Sequence, residues 1–199
     1  IPGHDHENCL VYRTVDDLDA LKRCAGNAKR GVVVGGGLLG LEAANALRLL
    51  GLETHVVEFA PQLMPVQLDE TGGALLRKEV EALGVHIHTG MKTELIDAGE
   101  QHTLRMNFEG QAPLETDMIV FSAGIRPQDS LGRQSGLELG ERGGIVVDNQ
   151  CRTSDPAIFA IGECALWNNR IFGLVAPGYT MARTVAAVLN NQAGDFTGA

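Results

Sequence analysis

The sequence predicts an α/β fold on a doubly wound parallel sheet, with a three-stranded antiparallel meander and part of a second α/β domain attached. Three features predict it. A β-branched run at 32–34 passes through glycines into an Ala/Leu-rich helix and out to a second strand, which is a β-α-β unit. A further helix and strand follow, and parallel strands joined by helices belong to one sheet. From 91 to 121 the apolar period then drops to two, as it does along successive strands.

Residues 11–25 begin with a short β-type run and pass into a helix carrying Leu18 and Leu21, with Asp16 or Asp17 placed to cap it and Gly26-Asn27 ending it. Val32 to Val34 lead through Gly35-Gly36-Gly37 into helix 38–50, which Gly51 stops before a strand at 53–59. Leu75, Leu76, Val80 and Leu83 stand at helical spacing behind Asp69 and Thr71, which predicts a helix over 69–83. Gly84 ends it, and VHIHT follows as a third parallel strand. KTELIDA, HTLRMNFEG and TDMIVFSAG read as the meander, parted by Gly99-Glu100 and by a turn from Gly110 to Pro113. Met118 to Ser122 is almost wholly apolar and is expected to re-enter the buried sheet. Beyond it, 125–143 is glycine-rich with a short helix near 129–135. Two apolar segments, GGIVVD and AIFAIGE, then bracket Thr153 to Pro156, and 177–190 closes as a helix.

The 199 residues suffice for one domain or one and a part. Sixteen basic against 25 acidic side chains leave a net charge of −9, a field that repels phosphate backbones and anionic lipid. Neither nucleic acid nor membrane is an expected partner. No apolar run approaches the ~18 residues of a membrane span, and IPGHDHENCL lacks the basic start and apolar block of a signal peptide. The expected location is cytoplasmic. Cys9, Cys24, Cys151 and Cys164 are scattered without a C-x-x-C, so no disulfide framework and no metal ligand set is expected. Opening on Ile1 and Pro2-Gly3, the chain reads as a fragment that starts within a loop of a longer protein.

Gly35-x-Gly37-x-x-Gly40 follows a strand and opens a helix, the context that gives this short pattern its meaning. The first glycine permits the tight turn, the second lets main-chain amides approach a pyrophosphate, and the third lets helix and strand pack closely. Free N–H groups and the helix dipole place about half a positive charge there, which suits an anion even in an acidic protein. Glu58 stands 23 residues after Gly35 at the end of the next strand, where an acid holds the adenosine ribose hydroxyls. A carboxylate repels a 2′-phosphate, and Phe59 to Met64 supply no arginine to neutralise one. NADH is therefore expected over NADPH.

With Glu42, Ser122-Ala123-Gly124 and Thr153 to Glu163 added, the chain resembles the pyridine nucleotide-disulfide oxidoreductases, flavoproteins with two dinucleotide-binding domains. GGGLLGLEAANAL, SAGIRPQ, GGIVVDNQCRTSDPAIFAIGEC and GYTMAR carry the resemblance, which spans nearly the whole chain. It implies a Rossmann-like NADH-binding domain at 28–124 inserted in an FAD-binding domain, of which 1–27 and 125–199 are pieces, and hydride transfer from NADH to FAD. It further implies that Ala123-Gly124 is the crossover back to the flavin domain, and that Gly162 and Glu163 reach the flavin ribitol and phosphate region. Glu42 would lie near the nicotinamide and orient its carboxamide, and Arg13-Thr14 would approach the flavin nucleotide. Glu163 stands where most of the family has aspartate, and Leu38-Leu39 where many members have Tyr-Ile, so no aromatic lid over the flavin is expected.

The family's first FAD motif, a G-x-G-x-x-G near the N-terminus, is missing, so FAD is expected to bind this chain poorly or not at all. Cysteine clusters for a [4Fe–4S] centre and sirohaem are also missing, and those groups are expected only in other regions of the same polypeptide. A small reductase subunit is a further candidate partner. The C-x-x-x-x-C of disulfide reductases is absent, which argues against that activity. Three readings remain: a piece of an NADH-oxidising flavoprotein that feeds iron–sulfur and sirohaem centres, a rubredoxin- or ferredoxin-reductase, and a nucleotide-binding module without turnover, the last favoured for the isolated chain.

Other motifs have plainer readings. His4-x-His6 with Glu7 and Cys9 belongs to a polar loop. His86 and His88 alternate on one strand face, with no carboxylate or cysteine at matching spacing, and are expected on the solvent face of an edge strand. Trp167 and Phe172 flank a turn at Asn168-Asn169-Arg170 and are expected to pack. No G-x-S-x-G elbow suggests a hydrolase.

Overall fold

The computed structural model of the protein describes residues 1–198, which divide into two units between Gly124 and Ile125. The first unit opens with strand β1 (Cys9–Val11) and helix α1 (Val15–Ala25). Thr14, not Asp16 or Asp17, caps α1. Its hydroxyl accepts from the Asp17 N–H at 3.2 Å while the Asp17 carboxylate accepts from the Thr14 N–H at 2.7 Å, a reciprocal box. Strand β2 (Arg30–Val34) leads into α2 (Leu38–Leu49), then β3 (Glu53–Glu58), α3 (Glu70–Ala82) and β4 (Val85–Thr89). Asp69 caps α3 by accepting from the Gly72 N–H at 2.8 Å.

Next come the antiparallel strands β5 (Thr93–Ala98), β6 (Leu104–Phe108) and β7 (Gln111–Thr116), and then β8 (Met118–Phe121). The third meander strand is thus 111–116, where the sequence suggested only a turn. Its exposed, polar stretch Gln111-Ala112-Pro113 sends no apolar alternation, and Pro113 is tolerated because β7 lies at a sheet edge. Met118–Phe121 belongs to the parallel sheet, whose order is β1-β8-β2-β3-β4 with every neighbouring pair parallel.

Both faces of that sheet are covered, which is why β8 and the valine runs 32–34 of β2 and 56–57 of β3 are apolar on either side. Val33, Val56 and Val120 pack with Leu21, Ala43, Ala44 and Leu47 of the helices. Val32, Val57 and Ile119 pack on the other face with Ile96, Leu104, Met106 and Phe108 of the meander.

Asp117, in the corner between β7 and β8, ties this assembly together. Its carboxylate accepts main-chain N–H groups from Lys29 at 2.7 Å and Arg30 at 3.0 Å, and lies 3.0 Å from His102 Nδ1. Burial alone would raise its pKa, but these donors override it and hold the group below the usual carboxylate range. A depressed folded-state pKa stabilises above the unfolded value, and that stability is lost as pH falls through the folded one. Asp117→Asn is therefore expected to cost about 2 kcal/mol at neutral pH, with the deficit shrinking in acid. Urea unfolding at neutral and acid pH checks this, and a deficit that does not change with pH would contradict the electrostatic account.

The second unit contains α4 (Ser130–Gln134), β9 (Ile145–Val147), a 3-10 turn (Gly162–Cys164), β10 (Ala165–Trp167) and α5 (Val175–Leu189). β9 and β10 pair in parallel, and Ile145, Val147, Ala165, Met181 and Phe196 form the core. The apolar run at 157–161 makes one isolated bridge, Phe159 to Arg152, in place of a strand. Trp167 packs edge-on against Phe196, as does Phe172, with centroids 5.1 and 5.4 Å apart, and the intervening turn places Asn168 and Asn169 at φ 46° and 58°.

Candidate dinucleotide site

The turn after β2 is shaped by glycines that serve different ends. Gly35 has φ 120°, donates its N–H to Val57 O at 2.9 Å, and would bring a Cβ within 2.6 Å of Ser122 O. A Cβ on Gly40 would overlap the carbonyl oxygen of Gly35, so only glycine lets α2 lie this close to the turn. At Gly37, by contrast, a Cβ would meet nothing within 4 Å. Gly37 is also the N-cap of α2 and offers no side chain to the first-turn amides, which are capped in α1 and α3. Those N–H groups face a position that an anion can fill.

Glu58 ends β3 beside them. Its carboxylate accepts from the Gly36 N–H at 2.5 Å and from the Ala60 N–H at 2.7 Å, so it fastens the glycine turn to the next loop. Leu63, fully buried, closes that loop over Gly36, and the Met64 N–H donates to Gly36 O at 3.0 Å. The cleft so formed holds about 490 Å³ and is lined by Gly35, Gly37, Glu58, Ser122, Ala123 and Gly124, with Phe59, Val66, Met91 and Lys92 among its other walls. This is the scale of a small-molecule site. Among the described residues Lys92 is the only lysine or arginine lining it, and its Nζ is paired with Glu109 at 2.7 Å.

The structure brings Gly35, Gly37, Glu58, Ala123 and Gly124 to one cleft. Gly40 lies buried behind it, and Leu38 and Leu39 are exposed on the first turn of α2. Glu42 is exposed on the same helix and lies off the cleft wall. Arg13 is exposed before α1, its main-chain N–H given to Asp17. In the second unit Gly162 has φ 77°, its N–H lies 3.3 Å from Met181 Sδ, and a Cβ on Gly178 would stand 3.7 Å from its Cα. Glu163 is exposed beside it, and the start of α5 has no side-chain cap. Phe59, Met91 and Lys92 lie just outside β3, β4 and β5, where the sequence pattern extends the strands, and Val66 lies in a turn, so strand alternation does not aim any of them at the cleft. The one available signal is an apolar residue directly after the acid, since Phe59 remains 72% exposed.

A glycine turn at an uncapped helix start, with an acid at the tip of the adjacent parallel strand, is the geometry found in dinucleotide-binding proteins of the Rossmann class. Comparison with known proteins narrows this. The family model described as pyridine nucleotide-disulphide oxidoreductase matches residues 1–188, and the chain belongs to that family. The nitrite reductase [NAD(P)H] large subunit of Klebsiella oxytoca is 63% identical over 199 residues, covering 100% of this chain and 21% of that protein. The nitrite reductase (NADH) large subunit of Escherichia coli K12 is 54% identical over 200 residues, covering 100% and 24%. A crystal structure of a ferredoxin reductase from Rhodopseudomonas palustris matches with TM-score 0.91 at 30% identity, covering 100% of this chain and 50% of that one. The chain thus spans about a quarter or less of these two curated relatives. The oxidoreductase fold expected from the sequence is the fold found. Among the described residues no helix is long and apolar enough to cross a membrane.

Proposed function

We propose that the chain is the NADH-binding portion of a flavoprotein oxidoreductase of the nitrite reductase large-subunit type. One observation carries the reading: the open approach at Gly37 and the carboxylate of Glu58 share a single cleft. The pyrophosphate would rest on the uncapped amides of α2, and the ribose hydroxyls would donate to Glu58. A 2′-phosphate would meet that carboxylate with no unpaired lysine or arginine on the cleft wall to offset the repulsion.

The assignment of 28–124 to NADH, and of 1–27 and 125–199 to FAD, belongs to the same proposal; in the structure 1–27 also joins the parallel sheet through β1. Open space at Gly162, the exposed Glu163 and the uncapped start of α5 suit a flavin's ribitol and phosphate. Flavin, when bound, supplies the hydride acceptor and a route for single electrons toward iron–sulfur and sirohaem centres elsewhere in the polypeptide. Glu42, exposed and without a hydrogen-bond partner among the described side chains, is free to orient the carboxamide of the nicotinamide. The match to a ferredoxin reductase favours a second reading, a reductase whose acceptor is a separate protein. Identity of 63% against 30% favours the first.

Fluorescence titration of the purified chain is expected to show NADH binding about tenfold or more tighter than NADPH, a difference of roughly 1.4 kcal/mol. Equal affinities, or tighter NADPH, would overturn the selectivity. Mixed with FAD, NADH and ferricyanide, the 199-residue chain is expected to give no sustained NADH oxidation; turnover would contradict the view of it as a binding module.

A further inference from the structure

At the opposite end of β3 from Glu58 lies a cluster that nucleotide binding does not use. β3 and β4 pair with His55 opposite His86 and Val57 opposite His88. Side chains alternate along a strand, so the three imidazoles share one face of the sheet while Val56, Val85 and Ile87 join the helix-side core. The His55 ring stacks on His86 with centroids 4.6 Å apart and on His88 at 5.2 Å. Its Nδ1 lies 2.9 Å from His88 Nε2, and its Nε2 lies 3.1 Å from Glu53 Oε1. The Arg30 guanidinium holds both Glu53 oxygens at 3.0 Å. The carboxylate that His86 and His88 lack in their own strand is thus supplied across the sheet.

We propose that Glu53, His55 and His86 form a binding site for one divalent transition-metal ion of the zinc class, open to water at its fourth position. One ligand atom from each residue falls in a group spanning no more than 4.8 Å. The 3.1 Å between His55 Nε2 and Glu53 Oε1 is close to the edge of a tetrahedron with bonds of ~2.0 Å, about 3.3 Å. Two imidazoles and one carboxylate suit zinc and its neighbours; calcium and magnesium prefer all-oxygen sets. His55 is buried and fixed, whereas His86 is exposed and can turn its ring from the stack toward the ion. Arg30 keeps one Glu53 oxygen while the other is given to the metal, a supporting contact of the kind that orients ligands.

Proton chemistry agrees with this placement. Burial, helped by His86 and His88 and opposed by Glu53, pushes the His55 pKa down to about 4, so its ring is neutral at pH 7, as a metal ligand must be. Without metal, the single His55 proton belongs on Nε2, because the facing carboxylate can only accept, and Nδ1 then accepts from His88 Nε2. An ion on Nε2 reverses both tautomers. The His55 proton moves to Nδ1 and is donated to His88 Nε2, and the His88 proton moves to its own Nδ1, with no net change in protonation.

The test uses the full 199-residue chain, stripped with a chelator and then titrated with Zn²⁺ against a chromophoric competitor and with Co²⁺ by visible absorption. One equivalent is expected, with intense tetrahedral Co²⁺ bands and a shift of the His55 ring proton from Nε2 to Nδ1 in nitrogen-15 spectra. His86→Ala, at an exposed position, is expected to weaken Zn²⁺ binding at least about tenfold with circular dichroism and NADH affinity unchanged. A paired His4→Ala, His6→Ala variant is expected to bind as the parent does. Absence of stoichiometric binding, full affinity in His86→Ala, or loss of binding in the His4/His6 variant would each overturn the proposal.

Discussion

Gly40→Ala is expected to cripple the first unit, because the new methyl group would occupy the space of the Gly35 carbonyl oxygen. Neither partner is the end of a flexible side chain. The β2–α2 turn must open, at a cost of about 3 kcal/mol for overpacking against backbone, and a fall in melting temperature of roughly 10 °C. Gly37→Ala supplies the contrast. Its backbone, φ −87° and ψ −171°, suits any residue, and its Cβ would meet nothing within 4 Å. Stability should change by less than about 0.5 kcal/mol, while NADH affinity should fall at least tenfold, roughly 1.4 kcal/mol, since the methyl stands in the approach to the helix amides. Thermal melts and nucleotide titrations on both variants separate the effects. A stable Gly40→Ala chain, or a Gly37→Ala chain with parental NADH affinity, would remove the assigned roles.

Glu58→Ala is expected to have the largest effect on cofactor choice. It deletes the acceptor for the ribose hydroxyls and also frees the Gly36 and Ala60 N–H groups that the carboxylate holds. Charged hydrogen bonds contribute about 1.5–3 kcal/mol each, so NADH affinity should drop roughly ten- to a hundredfold. NADPH loses the same scaffold but is relieved of a repulsion, so the ratio of the two affinities should move toward one. Adding Phe59→Arg, at an exposed wall of the same cleft, should carry the ratio past one in favour of NADPH. Calorimetry with both coenzymes gives the answer, and an unchanged ratio in Glu58→Ala would mean that another group sets the preference.

What the sequence disclosed was governed by periodicity and by glycine. The β2-α2-β3 unit, α3 and β4 were legible because each is bounded by a turn residue and carries a clear apolar spacing. β7 was not, because an edge strand with Pro113 and polar neighbours buries little and so leaves no alternation to read. The cap of α1 lies two or three residues before the aspartates the sequence offers, because Asp17 serves instead as the third helical residue that reaches back to the extended Thr14. At the site, the places of Gly35, Gly37 and Gly40 in the turn between β2 and α2 were legible, because backbone shape sets them. Cleft walls such as Val66, Met91 and Lys92 were not, because loop paths decide them. The histidines show a third case: His86 and His88 are visible as a pair along one strand, but His55 and Glu53 join them only through parallel register.

The position of β8 governs the order of assembly. β1, near the start of the chain, touches the parallel sheet only through β8, more than a hundred residues later, which also threads between β1 and β2 and carries Ser122, Ala123 and Gly124 to the cleft wall. During synthesis the glycine turn can fold early, yet its far wall arrives last and by contacts of high sequence separation, which form slowly. Coenzyme capture would therefore report that a nascent chain has closed the sheet of its first unit.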